Sequence, residues 1–431
     1  MQTTRTVKII GGGLAGSEAA YQLLKRGYAV EMYEMRPSVQ TGAHKTSSLA
    51  ELVCSNSLKS ADPETASGLL KDELKQMDCL LLDLAYKAKV EAGGALAVDR
   101  QLFSRLIEDK LFSYNSFKLI RQEVKALPDA PTIICSGPLT SESLGEAIKE
   151  RFGGGFFFFD AIAPIVSGID MNYAFWGGRY GKGDDYLNLF MDKEEYLNFY
   201  KNLISAETVK LKDFEGKEVF EGCMPIEVMA KRGEDAIRFG PLKPVGLSHP
   251  ETGKKYYAVV QLRKENLKGD CFNMVGFQTN LTFKEQKRVF SLIPALHDAE
   301  FLRYGVMHKN TYINAPKILD KGFRVKGDKP VYIGGQLSGV EGYVESIMSG
   351  LIAAVNLHRE LEGKKAIAPP YTTISGALCA HTTTATSNYQ PMNANFGILP
   401  HIECKDKKNR KKEYYQRAMC DIMPFAECLN K

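Results

Sequence analysis

Three glycines, at positions 11, 13 and 16, sit in the segment Ile9-Ile10-Gly11-Gly12-Gly13-Leu14-Ala15-Gly16, directly after an apolar run that begins at Val7. A G-x-G-x-x-G spacing between a short strand and a helix admits few folds. The first glycine permits the tight turn. The second lets backbone N–H groups approach a pyrophosphate, and the third lets the helix pack closely on the strand. Gly12, Leu14 and Ala15 complete the turn, where the positive end of the helix dipole faces the phosphates. Helix formers continue to Arg26, and Gly27 stands where the helix should stop. Tyr28 to Tyr33 predicts a second strand, followed by Glu34, 18 residues after Gly16. An acid there is placed to meet an adenosine ribose hydroxyl and disfavours a 2′-phosphate. The expected tightly held nucleotide is FAD or NAD.

A second strand-to-helix glycine turn comes late in the chain. Pro330 to Ile333 predicts a strand, Gly334 to Gly342 the turn, and Tyr343 to Leu361 a helix. In Rossmann flavoproteins such a turn aims a helix N-terminus at the flavin, so the pair of turns favours FAD over NAD. Gly335, Gly342 and Tyr343 join the candidate cofactor-binding residues. Between the turns the texture changes from about Gly168, where aromatics mix with charges, and later segments are dense in glycine, proline and basic residues. The expectation is an α/β fold, a Rossmann-like FAD-binding domain with a large inserted α+β domain. Its predicted divisions are 1–165, 166–324 and 325–431. At 431 residues the chain is long for one ordinary domain.

Local signals fill in the first domain. The polar segment Thr41 to Ser48 is expected to cover the cofactor, and small polar residues flank Cys54. Gly68 to Glu91 reads as one helix, with Cys79 as ordinary packing on it. Another helix is expected from Asp99-Arg100 to Leu111. Ala130 to Cys135 predicts a strand, and Thr140 or Ser141 a cap for a helix starting near Glu142. The nine cysteines include no CxxC pair, which argues against a structural zinc or iron–sulfur site, so no metal is expected. Their odd number, with no leader-like segment, points to reduced thiols in a cytoplasmic protein. No apolar run is long enough to span a bilayer, so no membrane association is expected. The net charge of +5 is compatible with an anionic partner. The run Lys405 to Lys412, with six basic residues among eight, reads as a solvated face, with an RNA contact as the alternative.

Longer motifs carry a more specific message. GGGLAGSEAA (Gly11 to Ala20), LVCSNSLKS (Leu52 to Ser60), DAIAPIV (Asp160 to Val166) and EGCMPIEVMA (Glu221 to Ala230) form an ordered series. It continues with RFGPLKPVGL (Arg238 to Leu247), RYGVMHKNTYIN (Arg303 to Asn314), GGQLSGVEGYVES (Gly334 to Ser346) and YQPMNANFG (Tyr389 to Gly397). With these the chain resembles the bacterial folate- and FAD-dependent tRNA (uracil-5-)-methyltransferase family. The chain departs from that family's pattern at Asn188-Leu189-Phe190-Met191 and Thr279-Asn280-Leu281, and the segment Ser375 to Tyr389 is also unusual for it. The resemblance implies C5-methylation of a T-loop uridine in tRNA. The carbon comes from 5,10-methylenetetrahydrofolate, and electrons reach the flavin from NADH or NADPH. Flavin N5 is implied to pass the methylene to uracil C5. Uridine in 23S ribosomal RNA is the alternative substrate. A flavin-bearing RNA-binding protein and a simple flavin oxidoreductase are the readings from other classes.

The resemblance assigns two cysteines. Uracil C5 is a poor nucleophile until a thiolate adds at C6. Cys223 takes that role, and Cys54 is its partner, protecting it or assisting proton removal from C5. An ordinary thiol is mostly protonated at neutral pH, so the site must lower its pKa. Tyr343 is implied to stack on the flavin. Arg179, Tyr180, Arg303 and His308 are the candidates to hold RNA phosphates and stack an extruded uridine.

Overall fold

A computed structural model describes residues 5–41, 43–129, 131–153, 155–181, 183–209, 224–327, 329–385, 389–404, 406 and 409–429. Five parallel strands form the nucleotide-binding sheet, in the order Val331–Ile333, Thr132–Ile134, Thr6–Ile10, Ala29–Tyr33, Phe117–Ile120. In chain order this is a Rossmann-type 3-2-1-4-5 arrangement, whose fifth strand comes from beyond the insertion. Every residue of Thr132–Ile134 and of Val331–Ile333 is buried, as strands covered on both faces require. The helices Leu14–Leu24 and Tyr343–Leu361 pack against each other closely enough that a Cβ at Gly350 would lie 2.2 Å from the Ala15 carbonyl oxygen.

The insertion is built on a second sheet of six strands, ordered Ala174–Trp176, Tyr186–Met191, Ala258–Lys264, Phe272–Met274, Ile165–Ser167, Glu300–Arg303. All its pairings are antiparallel. The two-residue period of a strand sorts its side chains. Leu187, Leu189 and Met191, with Ala258, Val260 and Leu262, face a core closed by the helices Lys193–Ser205 and Phe283–Phe290. Val259 and Phe190 belong to the opposite face, with Phe175, Leu247 and Tyr256. The larger core of the chain draws on residues before 149 and after 311, and the insertion's core on residues 163–301. A two-stranded antiparallel ribbon, Gly155–Ala161 with Met307–Ile313, runs between them.

The stretch expected as one helix from Gly68 to Glu91 is two, Ala66–Gln76 and Leu80–Lys87, followed by the short strand Lys89–Val90. The chain breaks at Asp78, whose φ is +56°. The buried Glu18 carboxylate accepts from the Leu80 and Leu81 N–H groups and so takes up open donors of the new helix. Cys79 is buried in the core beside it. Asp99 caps the helix Arg100–Phe112 through the Gln101 and Leu102 N–H groups. The cap expected before Glu142 differs: Ser141 holds the N-cap position of Glu142–Phe152 without a side-chain bond, and Thr140 Oγ1 donates to Gly137 instead. Of the basic run near the C-terminus, Lys405, Lys407 and Lys408 lie outside the described residues, and Arg410 starts the helix Arg410–Leu429. No helix among the described residues is long and apolar enough to cross a membrane.

Candidate functional site

Both glycine turns open on one cavity of about 350 Å³. Gly11, Gly13, Leu14, Ala15, Glu34, Gly335, Gly342, Tyr343 and Cys54 all line it. Thus the cofactor-binding residues expected from the two ends of the chain, apart from Gly12 and Gly16, line one cavity. The three glycines of the first turn do different work. A Cβ at Gly11, where φ is +103°, would lie 2.3 Å from the Cys135 carbonyl oxygen, and one at Gly16 would lie 2.0 Å from that of Gly11. A Cβ at Gly13 would meet nothing within 4 Å. The outer two are therefore demanded by the protein's own packing. The middle one leaves room beside a helix N-terminus, where a phosphate fits. Gly12 is closed over by Leu49 and Glu34, and its carbonyl accepts from Ala50 N–H at 2.8 Å.

Glu34 ends its strand at the cavity wall. One oxygen accepts from Gly12 N–H at 2.9 Å, and the other accepts from Arg36 N–H and Nε–H at 3.0 and 2.8 Å. Burial raises its pKa, but the Arg36 bonds and charge outweigh it, so the carboxyl titrates below the ordinary range. Arg36 also donates to Glu51 at 2.8 Å. Part of the polar segment expected to cover the cofactor, His44, lines the same cavity, and its ring nitrogen meets Thr41 Oγ1 at 2.7 Å. Gly42 lies outside the described residues.

Cys54 lines the cavity, half-buried on a small apolar cluster of Ala43, Val53 and Ile162, with Leu139 and Val306. The Tyr343 oxygen accepts from Cys54 N–H at 2.8 Å and from Ser55 N–H at 3.3 Å. Burial pushes the Tyr343 phenol far up, which keeps its proton in place. The other assigned cysteine, Cys223, lies outside the described residues.

The insertion grips the Cys54 loop from the far side. Arg263 donates to Asn56 Oδ1 at 2.9 Å and to Ser55 Oγ at 2.7 Å, while Asn56 Nδ2 donates to the Lys264 carbonyl at 2.9 Å. Arg100, from the first domain, pairs with Glu265 at 2.7 Å and donates to the Leu52 carbonyl. Sequence reasoning missed Arg100, Arg263 and Glu265. No motif marks them, and only the folded sheet edge brings them to the loop.

Of the RNA candidates, Tyr180 is 71% exposed, with φ +58°, on the insertion's surface. Arg179 beside it is fastened to the Val245 carbonyl at 2.6 Å and to Gln261 at 3.2 Å. Arg303 differs from the expectation of a phosphate contact: it is 9% exposed and donates inward to the Ala43 carbonyl at 2.8 Å. The strand's register shifts between Phe301 and Arg303, and backbone rather than solvent receives the guanidinium. The side chain of His308 lies outside the described residues. Among the described residues no group of three or more His, Cys, Asp or Glu side chains is arranged to hold a metal ion. Of the departures from the family pattern, those at 188–191 and 279–281 fall in the insertion. Asn188 is buried, and Thr279 and Asn280 donate to the buried Glu227 at 2.8 and 2.7 Å.

Comparison with known proteins places this architecture. The family described as Glucose inhibited division protein A matches residues 6–365. The methylenetetrahydrofolate–tRNA-(uracil-5-)-methyltransferase TrmFO of Natranaerobius thermophilus is 52% identical over 426 residues, covering 97% of this chain and 98% of its own. The TrmFO of Aquifex aeolicus is 51% identical over 420 residues, covering 96% and 94%. Among solved structures, Aquifex aeolicus GidA superposes with a TM-score of 0.71 at 13% identity, covering 99% of this chain and 74% of that one, a likeness of fold. With half its residues identical to these relatives along nearly the whole length of both chains, the protein belongs to the TrmFO family within the wider GidA group.

Proposed function

We infer that this protein methylates C5 of a uridine in tRNA. The carbon donor is 5,10-methylenetetrahydrofolate, FAD is the resident cofactor, and NADH or NADPH is the source of electrons. The observation that carries this reading is the near-complete, 52% identical overlap with a relative named for that reaction. The cavity supports it: two helix N-termini and an acid at the second strand's end suit a dinucleotide, with a cysteine in the lining. When bound, the flavin supplies reducing electrons and the folate supplies the carbon. In this reading the turn at Gly11 to Gly16 holds the pyrophosphate, Glu34 holds the adenosine ribose, and Gly335, Gly342 and Tyr343 hold the ring end. Cys223 adds to uracil C6, which makes C5 nucleophilic, and Cys54 takes the C5 proton. Tyr343 fixes the Cys54 backbone by accepting its N–H. Tyr180 and Arg179 offer an outer surface for RNA.

The test is direct. The purified protein should be yellow. Given methylenetetrahydrofolate and NADH or NADPH, it should place 5-methyluridine in an unmodified tRNA transcript, as read by nucleoside mass analysis. Cys54→Ala and Cys223→Ala should each lower turnover at least about 100-fold with flavin retained. A flavin-loaded protein that methylates no tRNA overturns the reading, and product on 23S ribosomal RNA alone moves the substrate.

A further inference from the structure

The loop from Leu52 to Asn56 has an uneven set of charged neighbours among the described residues. Arg36, Arg100, Arg263 and Arg303 lie around it, with Glu34, Glu51 and Glu265. Glu34 and Glu51 are both committed to Arg36, each at 2.8 Å. Glu265 is committed to Arg100. Farther along the cavity Lys59 is paired with Glu345 at 3.0 Å. Among the described residues Arg263 and Arg303 have only neutral hydrogen-bond acceptors, Asn56 and Ser55 for one and the Ala43 carbonyl for the other. They are 8% and 9% exposed, and Arg303 Nε has no acceptor among the described residues.

A guanidinium taken out of water costs several kcal/mol unless an anion faces it. Burial lowers the pKa of both arginines and the charge of Arg100 lowers each further; Glu265 offsets part of this at Arg263, while at Arg303 the first offsetting group is Cys54, ahead of Tyr343 and Glu51. The paired Arg100 shows the contrast: burial lowers its pKa, yet Glu265 above all, with Tyr343 and Cys54, more than restores it. Arg303 is bonded to the carbonyl of Ala43, which packs with Cys54, and Arg100 to the carbonyl of Leu52, two residues before it. Besides the committed Glu51 and Glu265, the described groups there that can become anionic are Cys54 and Tyr343. Burial disfavours the Tyr343 anion, and a thiol is intrinsically the stronger acid. His44 adds no positive charge at neutral pH, because burial first and Arg36 second push it down to about 4.

We propose that Arg303, backed by Arg100, holds Cys54 as a thiolate in the resting protein, while Arg263 positions the loop by gripping Ser55 and Asn56. The thiol proton leaves to solvent, and no other bond changes. Two of the three arginines belong to the insertion, so the insertion completes the electrostatics of a cysteine carried by the other domain. The meaning of this anion rests on the function proposed above. Its measurement does not use methyl transfer, so the two ideas fail separately.

The experiment is the ultraviolet thiolate absorbance of the flavin-loaded protein minus that of Cys54→Ser, recorded from pH 5 to 9.5. The subtraction removes the flavin and the other cysteines. A thiolate at Cys54 should already be present at pH 6.5, well below the ordinary thiol midpoint of about 8.5. The same difference taken in an Arg303→Gln background should shift its midpoint up by about one pH unit or more, and Arg303→Lys should restore most of the shift. A midpoint at or above the ordinary value in the native protein overturns the proposal. An unmoved midpoint in a flavin-retaining Arg303→Gln protein does the same. Should Arg303→Gln not fold, the native midpoint and its upward shift in Arg100→Gln decide the matter.

Discussion

The nucleotide-binding region meets the shared cavity mainly with backbone: two glycine turns, two helix ends and the N–H groups they expose. The insertion meets the Cys54 loop with side chains, Arg263 and Arg303, and with the Lys264 carbonyl. Backbone donors are set by local conformation, so a short motif encodes them. Side-chain contacts across a domain boundary are set by how two sheets come together, so no local pattern encodes them. The buried glutamates repeat the lesson. Glu73, in the first region, receives the N–H groups of Ile374 and Ser375 at 2.7 and 2.8 Å, some 300 residues away. Glu227, in the insertion, does the same for Asn280.

The sharpest way to break this comparison lies in the glycines. Gly16→Val should fail to fold or melt far lower, a loss of more than about 3 kcal/mol, because its Cβ would collide with the Gly11 carbonyl. Gly13→Val should keep the fold in a melting scan, because its Cβ meets no protein atom within 4 Å. It should still lose flavin at least about tenfold in a retention assay. Equal behaviour of the two variants would remove the distinction between a glycine needed for packing and one needed for a ligand.

Next in size is the domain boundary. Arg100→Met leaves Glu265 buried without its partner, which should cost about 3 kcal/mol in chemical denaturation. The double change with Glu265→Leu should recover most of that loss. Failure to recover would mean the pair does more than neutralise itself.

A pH effect of the same order follows from Glu73, whose pKa burial pushes up to about 7 from 4.5. The folded state then binds the proton more tightly than the unfolded chain. Its contribution is complete below about pH 4.5 and lost as pH rises through 7, on the order of 2–3 kcal/mol. Lys71, pushed down to about 7 by burial, acts oppositely above that pH. Melting points should therefore fall from pH 5 to 7, and Glu73→Gln should flatten that slope. The smallest effect is at the surface. Tyr180→Ala should change stability by no more than about 0.5 kcal/mol while weakening tRNA binding roughly fivefold in a filter or fluorescence assay.

The residues by themselves determined the Rossmann-like sheet, both glycine turns, the helix Tyr343–Leu361 and the family. Each depends on contacts between near neighbours or on long motifs. The first turn, for instance, needs only that positions 11 and 16 lack a Cβ. Even here a local signal failed where a distant side chain intervened: Glu18 caps a new helix at Leu80 and splits what reads as one. Tertiary structure alone decided that Arg303 points inward and that Arg263 and Arg100 converge on one loop. It alone also decided that Tyr343 accepts from the Cys54 backbone across 289 residues of chain. Such pairings depend on register between separate sheets and on the cost of burying charge. Both are properties of the assembled core, and neither belongs to any segment read by itself.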